Sequence, residues 1–442
     1  MRIDRLRVQN FRCFDDREWT FAPGFNVLIG ENGAGKTAAL DALAVGVGAF
    51  LLGIDDGTAR SIQEDDVRLN YREVTVGADG FASPPRFSEQ FPVNIAAEGV
   101  IGGSPYRWSR SRSSKKGQTR WADAQAVRDA AYHLQMRVRG DEDVTLPLIA
   151  YYTIRRRWNT DREDLTETVA PTSRLHAYTN CLRAELLAPY VYRWFKTMEL
   201  GRRQQEAELA PVRVVTDAVL RCMPEGAPRS LEFDILLNEL VAVDADASRF
   251  RLRLLSEGQR NVISLVMDLA YRATTLNPHF GIRAAQETPG IVLIDEIDLH
   301  LHPRWQRDIV NQLRQTFPKV QFFVTTHSPI ILQNLNTAED CVIQLDAGAG
   351  TPYSIGDFAD QPVEDVLIEQ GYEEPHLSTR RREMIAAAEE YYRLLKQAKT
   401  AEPVELDRLK RRMDDLALPY HDNPAYIAFL NKERRAELGD NA

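Results

Sequence analysis

Eight consecutive residues, Gly30-Glu31-Asn32-Gly33-Ala34-Gly35-Lys36-Thr37, carry the clearest chemistry in the chain. Gly30, Gly33 and Gly35 let the backbone curl until successive N–H groups face inward, and such a nest binds phosphate oxygens. Asn32 sits in the same loop. Lys36 would reach the β- and γ-phosphates, and Thr37 would place its hydroxyl on Mg2+. The chemistry is that of a nucleoside triphosphate held with its metal. A glycine-rich turn could carry the same letters, so the flanks decide. Phe25 to Ile29 is an apolar run that reads as a buried strand, and Leu40, Leu43, Ala44, Val47 and Leu51 recur at helical spacing. Strand, glycine loop and helix is the order a phosphate-binding P-loop requires, with the positive end of the helix aimed at the anion.

A second set of residues lies in the other half of the chain. Leu255-Ser256-Glu257-Gly258-Gln259-Arg260 opens a helix, NVISLVMDLAYR. Alone it is an ordinary N-cap. It is also an anion site at a helix N-terminus, built from the Ser256 hydroxyl and the Gly258 N–H, with Gln259 beside them. Gly290 to Ile294 reads as a buried strand ending in Asp295 and Glu296. Asp295 would hold Mg2+ through water, and Glu296 would orient and deprotonate an attacking water. Two solvated acids are the alternative; the apolar run before them and the loop after them weigh against it. His300 and His302 lack a third ligand nearby in sequence, so a loop entering the helix PRWQRDIVNQLRQTF is favoured over a metal site. Val320 to Thr325 is a further predicted strand and delivers Thr326-His327-Ser328-Pro329. His327 is either a sensor of γ-phosphate or an ordinary strand-end histidine. Each motif is placed at the C-terminal end of a predicted strand, the edge where ligands gather in an open α/β sheet.

These residues need a scaffold, and 442 residues are ample for one large or two to three ordinary domains. The formal net charge of −9 means that contact with nucleic acid must come from local patches. Cys13, Cys181, Cys222 and Cys341 are scattered without a CxxC pair, which fits a reducing cytoplasm. The N-terminus lacks the apolar segment of a signal peptide, and no apolar run is long enough to span a bilayer, so no membrane contact is expected. Four regions are predicted. Residues 1–160 form one lobe, 161–230 a helical insert, 231–350 a second lobe and 351–442 a helical extension. In the first lobe, Met1–Phe14 and Glu18–Phe21 read as strands, and Pro92–Arg112 as a hairpin turning at Gly102-Gly103. Arg107, Arg110, Arg112, Lys115, Lys116 and Arg120 cluster there. They form either a solvated loop or a contact for a nucleic-acid backbone. Ala122–Val138 reads as a helix and Thr145–Thr153 as a strand, followed by Arg155-Arg156-Arg157-Trp158. In the insert, Tyr178, Leu182, Leu186, Tyr190 and Trp194 favour a helical core over a base-stacking platform. In the extension, PVEDVLIEQ ends at Gly371, and stripes through Met384, Ile385, Ala388, Tyr391, Tyr392 and Leu395, and through Leu406, Leu409, Met413 and Leu416, precede a last helix capped at Asn423-Pro424. These stripes either pack on the head or dock a partner.

The order of GENGAGKT, LSEGQ, the IVLIDE strand, the DLHLHP loop and THSP resembles the ABC-type ATPases, whose signature motif is usually LSGGQ. Glu257 departs from that pattern, while Gly258 keeps its second glycine. The resemblance implies an α/β fold: a P-loop NTPase head of mixed sheet and flanking helices with ATP and Mg2+ as ligands. It also implies a head-to-tail homodimer or higher oligomer, with Ser256 and Gly258 of one copy closing over the nucleotide of the other. A Q-loop glutamine is part of that pattern, and Gln63 and Gln135 both remain open for it. IDRLRVQNFRCF and the lack of a long coiled coil are similar to the RecF/SMC/OLD branch. LPLIAYYTIRRRW, SRLHAYTNCLRAE, DEIDLHLHPRWQ and THSPIIL resemble Septu-type ATPases, which accompany an HNH nuclease in bacterial anti-phage defence. That resemblance implies a regulatory ATPase without a nuclease of its own, since fewer than about a hundred residues follow the last motif, too few for a typical domain of that kind. The competing expectations are a RecF-like repair ATPase acting directly on DNA and a scaffold that binds ATP and scarcely hydrolyses it.

Overall fold

The computed structural model describes residues 1–72, 86–154, 173–182, 188–205, 208–223, 230–234, 236–237, 239–243, 248–336, 338–345, 352–353, 379–398, 403–420 and 430. The first lobe contains β1 (Arg2–Phe11), β2 (Phe14–Thr20), β3 (Phe25–Ile29), α1 (Lys36–Leu51), β4 (Leu69–Arg72), β5 (Arg86–Glu89), β6 (Val93–Ile101), β7 (Ser104–Arg112), α2 (Gln125–Arg139) and β8 (Leu148–Tyr152). Then come α3 (Ala188–Gln205), α4 (Ala210–Arg221), β9 (Ser230–Asp234), β10 (Glu239–Val243), β11 (Arg249–Arg251) and α5 (Glu257–Leu276). The last part of the head holds α6 (Ala284–Glu287), β12 (Gly290–Ile294), α7 (Pro303–Thr316), β13 (Val320–Thr325), α8 (Pro329–Leu332), β14 (Cys341–Gln344) and β15 (Pro352–Tyr353). Two compact units result, Met1–Val366 and Leu367–Ala442, the second containing α9 (Thr379–Ala398) and α10 (Pro403–Ala417).

The central sheet has the order β15-β14-β3-β13-β12-β8. Its pairs are parallel from β14 through β8, and β15 is antiparallel. Every residue of β3, β8, β12 and β13 is buried, as strands covered on both faces require. That is why they read as unbroken apolar runs rather than as alternations. Beside this sheet lies an antiparallel one, β2-β1-β6-β7. Along β6 burial alternates at every residue, the period-2 pattern of a strand with one covered face. Gly102 and Gly103 both take positive φ, 58° and 88°, as a two-residue hairpin turn demands. The helix after the glycine loop, α1, packs against both sheets. All its residues but Thr37 are buried, which explains its lack of a polar face.

The basic cluster does not form one surface. Arg110 and Arg112 are buried, at 2% and 7% exposure. Arg110 donates to the carbonyls of Val45 and Arg60, and burial lowers its pKa to about 10. Arg112 donates to the carbonyls of Ile62, Ser114 and Lys115. As contacts for nucleic acid these two are therefore wrong. They face inward because β7 alternates, and Arg110 and Arg112 share the inward phase with Trp108.

The signature also departs from expectation, because no strand of the central sheet leads to it. A three-stranded sheet, β11-β10-β9, and one 3-10 turn, Leu252–Leu254, precede α5. Within the insert, α3 and α4 pack on α5. The Trp194 and Tyr190 rings lie edge-on to Tyr271 at 5.0 and 5.6 Å, an arrangement typical of core aromatics. In the second unit the two stripes bury against each other: Tyr391, Leu394 and Leu395 of α9 with Leu409 and Met413 of α10 and Leu430. Arg155–Arg157, Trp158, Leu186, the helix ending at Gly371 and the segment from Asn423 to Phe429 lie outside the described residues.

One buried ion pair ties α5 to the sheet. Arg272 and Asp268 are 2% and 1% exposed and meet at 3.0 Å. Tyr152 at the end of β8 donates to the same Asp268 oxygen at 2.6 Å, and Arg272 also donates to the Ala177 carbonyl. Removing one partner strands the other charge in the core. Arg272→Met should therefore lower the unfolding free energy in urea titration by about 3–5 kcal/mol. The triple variant Tyr152→Phe/Asp268→Leu/Arg272→Met, which also removes the hydroxyl that Asp268 accepts from, should recover most of that loss.

Candidate functional site

Because β3, β8, β12 and β13 run parallel, their C-termini share one edge. Asp295 follows β12 and is 2% exposed. Its N–H donates to the Tyr152 carbonyl at 2.8 Å. Its Oδ2 accepts from Thr37 Oγ1 at 2.9 Å, and its Oδ1 from Thr325 Oγ1 at 2.6 Å. Thr325 Oγ1 in turn accepts from the Glu296 N–H at 2.7 Å. Glu296 has φ 49°, a left-handed backbone that is uncommon for a residue with a Cβ and is held here by its surroundings. The strand path thus breaks immediately after Asp295.

The glycine loop follows β3. Gly33 and Gly35 have φ of 90° and 98°. A Cβ on Gly35 would stand 2.5 Å from Cys13 Sγ and 2.8 Å from the Phe14 ring, so the β1–β2 turn presses directly on the loop. Lys36 Nζ donates to the carbonyls of Gly30 at 2.7 Å and Glu31 at 3.0 Å. Its charge lies over the cradle. Outside the loop a cleft of about 350 Å³ is lined by Cys13, Phe14, Arg17, Asn32, Gly33 and Leu345. A nest, a cation above it and a hydroxyl–carboxylate pair, Thr37 with Asp295, fit a polyphosphate and a hard cation such as Mg2+.

His327 stands near the same groups. Burial, then the Lys36 charge, lower its pKa from 6.5, with Asp298, Glu296 and Asp295 opposing. The ring is therefore neutral at pH 7 and presents one donor and one acceptor nitrogen. The loop carrying it is fixed from both sides. Thr326 Oγ1 donates to Asp298, and Ser328 Oγ to Gln306 Oε1 at 2.7 Å.

The signature helix begins at an exposed cap. Ser256 Oγ accepts from the Gln259 N–H at 3.3 Å, and Gln259 Oε1 accepts from the Ser256 N–H at 3.0 Å. This reciprocal box leaves the N–H groups of Glu257 and Gly258 without intrahelical partners. A Cβ on Gly258 would lie 2.2 Å from the His300 carbonyl oxygen. The glycine is needed for close approach, and the backbone it approaches within its own chain is the Asp298–His302 loop. His302 caps α7 by accepting from the Arg304 N–H at 3.3 Å, and the described residues contain no group of three or more metal-type ligands. Gln135 is buried in α2 and accepts from the Asp55 N–H at 2.8 Å, while exposed Gln63 caps the turn at Glu64–Asp66.

Sequence reasoning passed over two features. One is Thr325, which holds Asp295 and Glu296 together. The other is a charge network behind α1. Arg12 pairs with Asp41 at 2.7 Å and Asp66 at 2.8 Å, Arg60 with Asp41 at 3.2 Å, and Tyr151 OH donates to Asp41 at 2.9 Å. Asp41 lies four residues after Thr37, on the same helix face, a spacing that was visible in the letters.

Thr325→Val keeps the shape of the side chain but removes both bonds. It should reduce ATP turnover by about 10²-fold, the order expected when a group at a reacting centre is misplaced by about 1 Å, while ATP binding stays within a few-fold. Steady-state phosphate release and nucleotide titration measure the two. His327 should titrate by NMR with a midpoint below 6.5. Because its folded pKa is depressed, protonation favours unfolding. His327 should therefore cost stability as pH falls from 6.5 through that midpoint, and His327→Gln should remove that part of the acid sensitivity.

Residues 2–346 match the RecF/RecN/SMC N terminal domain family. The chain is 24% identical over 403 residues to the Retron Ec83 probable ATPase of Escherichia coli, covering 76% of this chain and 70% of that protein. It is 42% identical over 93 residues to the Septu protein PtuA of Bacillus mycoides strain KBAB4, covering 21% of this chain and 12% of that protein. To the DNA replication and repair protein RecF of Edwardsiella ictaluri strain 93-146 it is 24% identical over 359 residues, 72% of this chain and 92% of that protein. With 345 matched residues spanning both lobes of the head, the chain belongs to the RecF/RecN/SMC N-terminal-domain family, in its branch of ABC-type ATPases resembling Septu and retron ATPases.

Proposed function

We propose that this protein is an ATP-driven dimerisation switch in a bacterial anti-phage defence system, where it controls a partner HNH nuclease. The observation that carries the switch is the contact of Gly258 with the His300 carbonyl. It joins a helix end, where Ser256 is exposed and Gly258 buried, to the loop that leaves Asp295 and Glu296. Whatever Ser256 meets on a second copy is transmitted to the hydrolytic residues of its own chain. The defence role rests on the likeness to the retron and Septu proteins.

ATP is the substrate. On its arrival Lys36 exchanges the carbonyls of Gly30 and Glu31 for phosphate oxygens. Thr37 and Asp295 would hold Mg2+, which supplies charge neutralisation at the phosphates. Glu296 accepts the proton of the attacking water. Neutral His327 donates an N–H to the γ-phosphate without adding charge. Ser256 and the Gly258 N–H of the second copy close the site, and the dimer opens once the γ-phosphate leaves. A second possibility, direct action on DNA, draws on the RecF likeness, which covers most of both chains.

Glu296→Gln with ATP should sediment as a dimer or larger assembly, and Lys36→Ala with ATP as the species seen without nucleotide. A Glu296→Gln protein whose mass ignores ATP would overturn the switch. Reconstitution with the HNH partner tests the rest: DNA cleavage by the complex should differ between Glu296→Gln and Lys36→Ala. Cleavage insensitive to both would leave the ATPase without control of the nuclease.

A further inference from the structure

Removing Arg110 and Arg112 from the surface leaves a smaller basic site with a built architecture. The loop 113–119 is closed at its base by paired backbone bonds between Ser111 and Arg120, at 2.7 and 3.4 Å. The buried Arg112 holds the loop from inside by its Ser114 and Lys115 carbonyls, and Thr119 Oγ1 accepts from the Ile62 N–H at 2.9 Å. Over this loop opens a groove of about 700 Å³, lined among others by Ser113, Gln118, Thr119, Arg120, Trp121 and Gln125.

Three features of the groove belong together. Trp121 is 42% exposed, an unusual place for the largest aromatic side chain. The Arg128 guanidinium lies over its ring at 4.6 Å from the centroid, which fixes the ring and adds positive charge. Arg107 and Lys115 are paired with Glu98 and Glu89, but the ion pairs among the described residues include neither Lys116 nor Arg120, and both are exposed. Of the nearby acids, Glu64 lies 3.8 Å from Arg112, Asp123 accepts from Ser109 Oγ at 3.2 Å and Asp129 from Gln125 at 2.8 Å.

We propose that this groove binds an unpaired nucleotide of single-stranded nucleic acid, with its base stacked on Trp121, one phosphate at Arg120 in the lining and the next at exposed Lys116, which lies outside the lining on the same loop. A π-face beside exposed cations is what a single strand offers partners for: bases stack irrespective of sequence, and the backbone follows the charge. A duplex keeps its bases stacked on one another and offers Trp121 nothing. A protein of net charge −9 repels polyanions overall, so binding confined to this groove suits a short contact. The groove shares no lining residue with the cleft beside the glycine loop.

The test uses the full chain and fluorescence anisotropy with labelled dT20, rU20 and a 20-base-pair duplex. dT20 or rU20 should bind more tightly than the duplex. Comparison of the two strands assigns the site to DNA or RNA. Trp121→Ala should weaken single-strand binding about tenfold, within the worth of one base–aromatic stack, and Trp121→Phe should retain most of it. Lys116→Ala/Arg120→Ala should weaken binding and flatten its salt dependence by about 0.7 per lost phosphate contact. ATP affinity should be unchanged in each variant, which verifies folding. Absence of single-strand binding, equal affinity for duplex, or wild-type affinity in Trp121→Ala would each overturn the proposal.

Discussion

The site is organised around one carboxylate. Asp295 receives the hydroxyls of Thr37 and Thr325 on its two oxygens and gives its N–H to Tyr152. Those three partners stand at the ends of three different elements: the start of α1, the end of β13 and the end of β8. A buried carboxylate is tolerated only where hydrogen bonds replace its hydration, so each of these elements is held to its position by the requirement to satisfy Asp295. The same requirement places Thr37 and Asp295 side by side before any ligand arrives. Little reorganisation then remains for a cation and a polyphosphate to impose.

Coupling to the second half of the molecule runs through close packing. At the near end of α5, Gly258 rests on the carbonyl of His300. Three turns further on, Asp268 and Arg272 bind Tyr152, the residue whose carbonyl holds Asp295. Helix α5 is therefore attached at two points to the edge that carries Asp295 and Glu296, and one of the two is the Asp298–His302 loop. Packed contacts of this kind shift between discrete arrangements rather than deform smoothly, which suits a switch better than a rheostat.

Much of this was legible in the letters. The parallel strands announce themselves as unbroken apolar runs because both faces are covered, and the glycines at 33 and 35 mark positions that only a positive φ can fill. The strand-end acids and His327 follow from their place behind those runs. What stayed hidden were relations that spacing along the chain cannot express. Arg110 and Arg112 look like surface charge beside Lys115 and Lys116. Only the phase of β7, fixed by Trp108 against α1, turns them inward. Gly258 was legible as the glycine the signature keeps, but not the loop it approaches. The stripes of α9 and α10 were plain as stripes, and nothing in one sequence says that they face each other.

The central claim is that a working site combines the cradle of one copy with the signature of another. Mixing two inactive variants, Lys36→Ala and Ser256→Arg, measures this directly. Each should release almost no phosphate alone. After subunits exchange at equal concentration, half of the dimers should pair one of each, and each such dimer restores one of its two sites. Turnover should rise to roughly one quarter of the wild-type rate. A mixture that stays as inactive as its parents would contradict a site shared between copies.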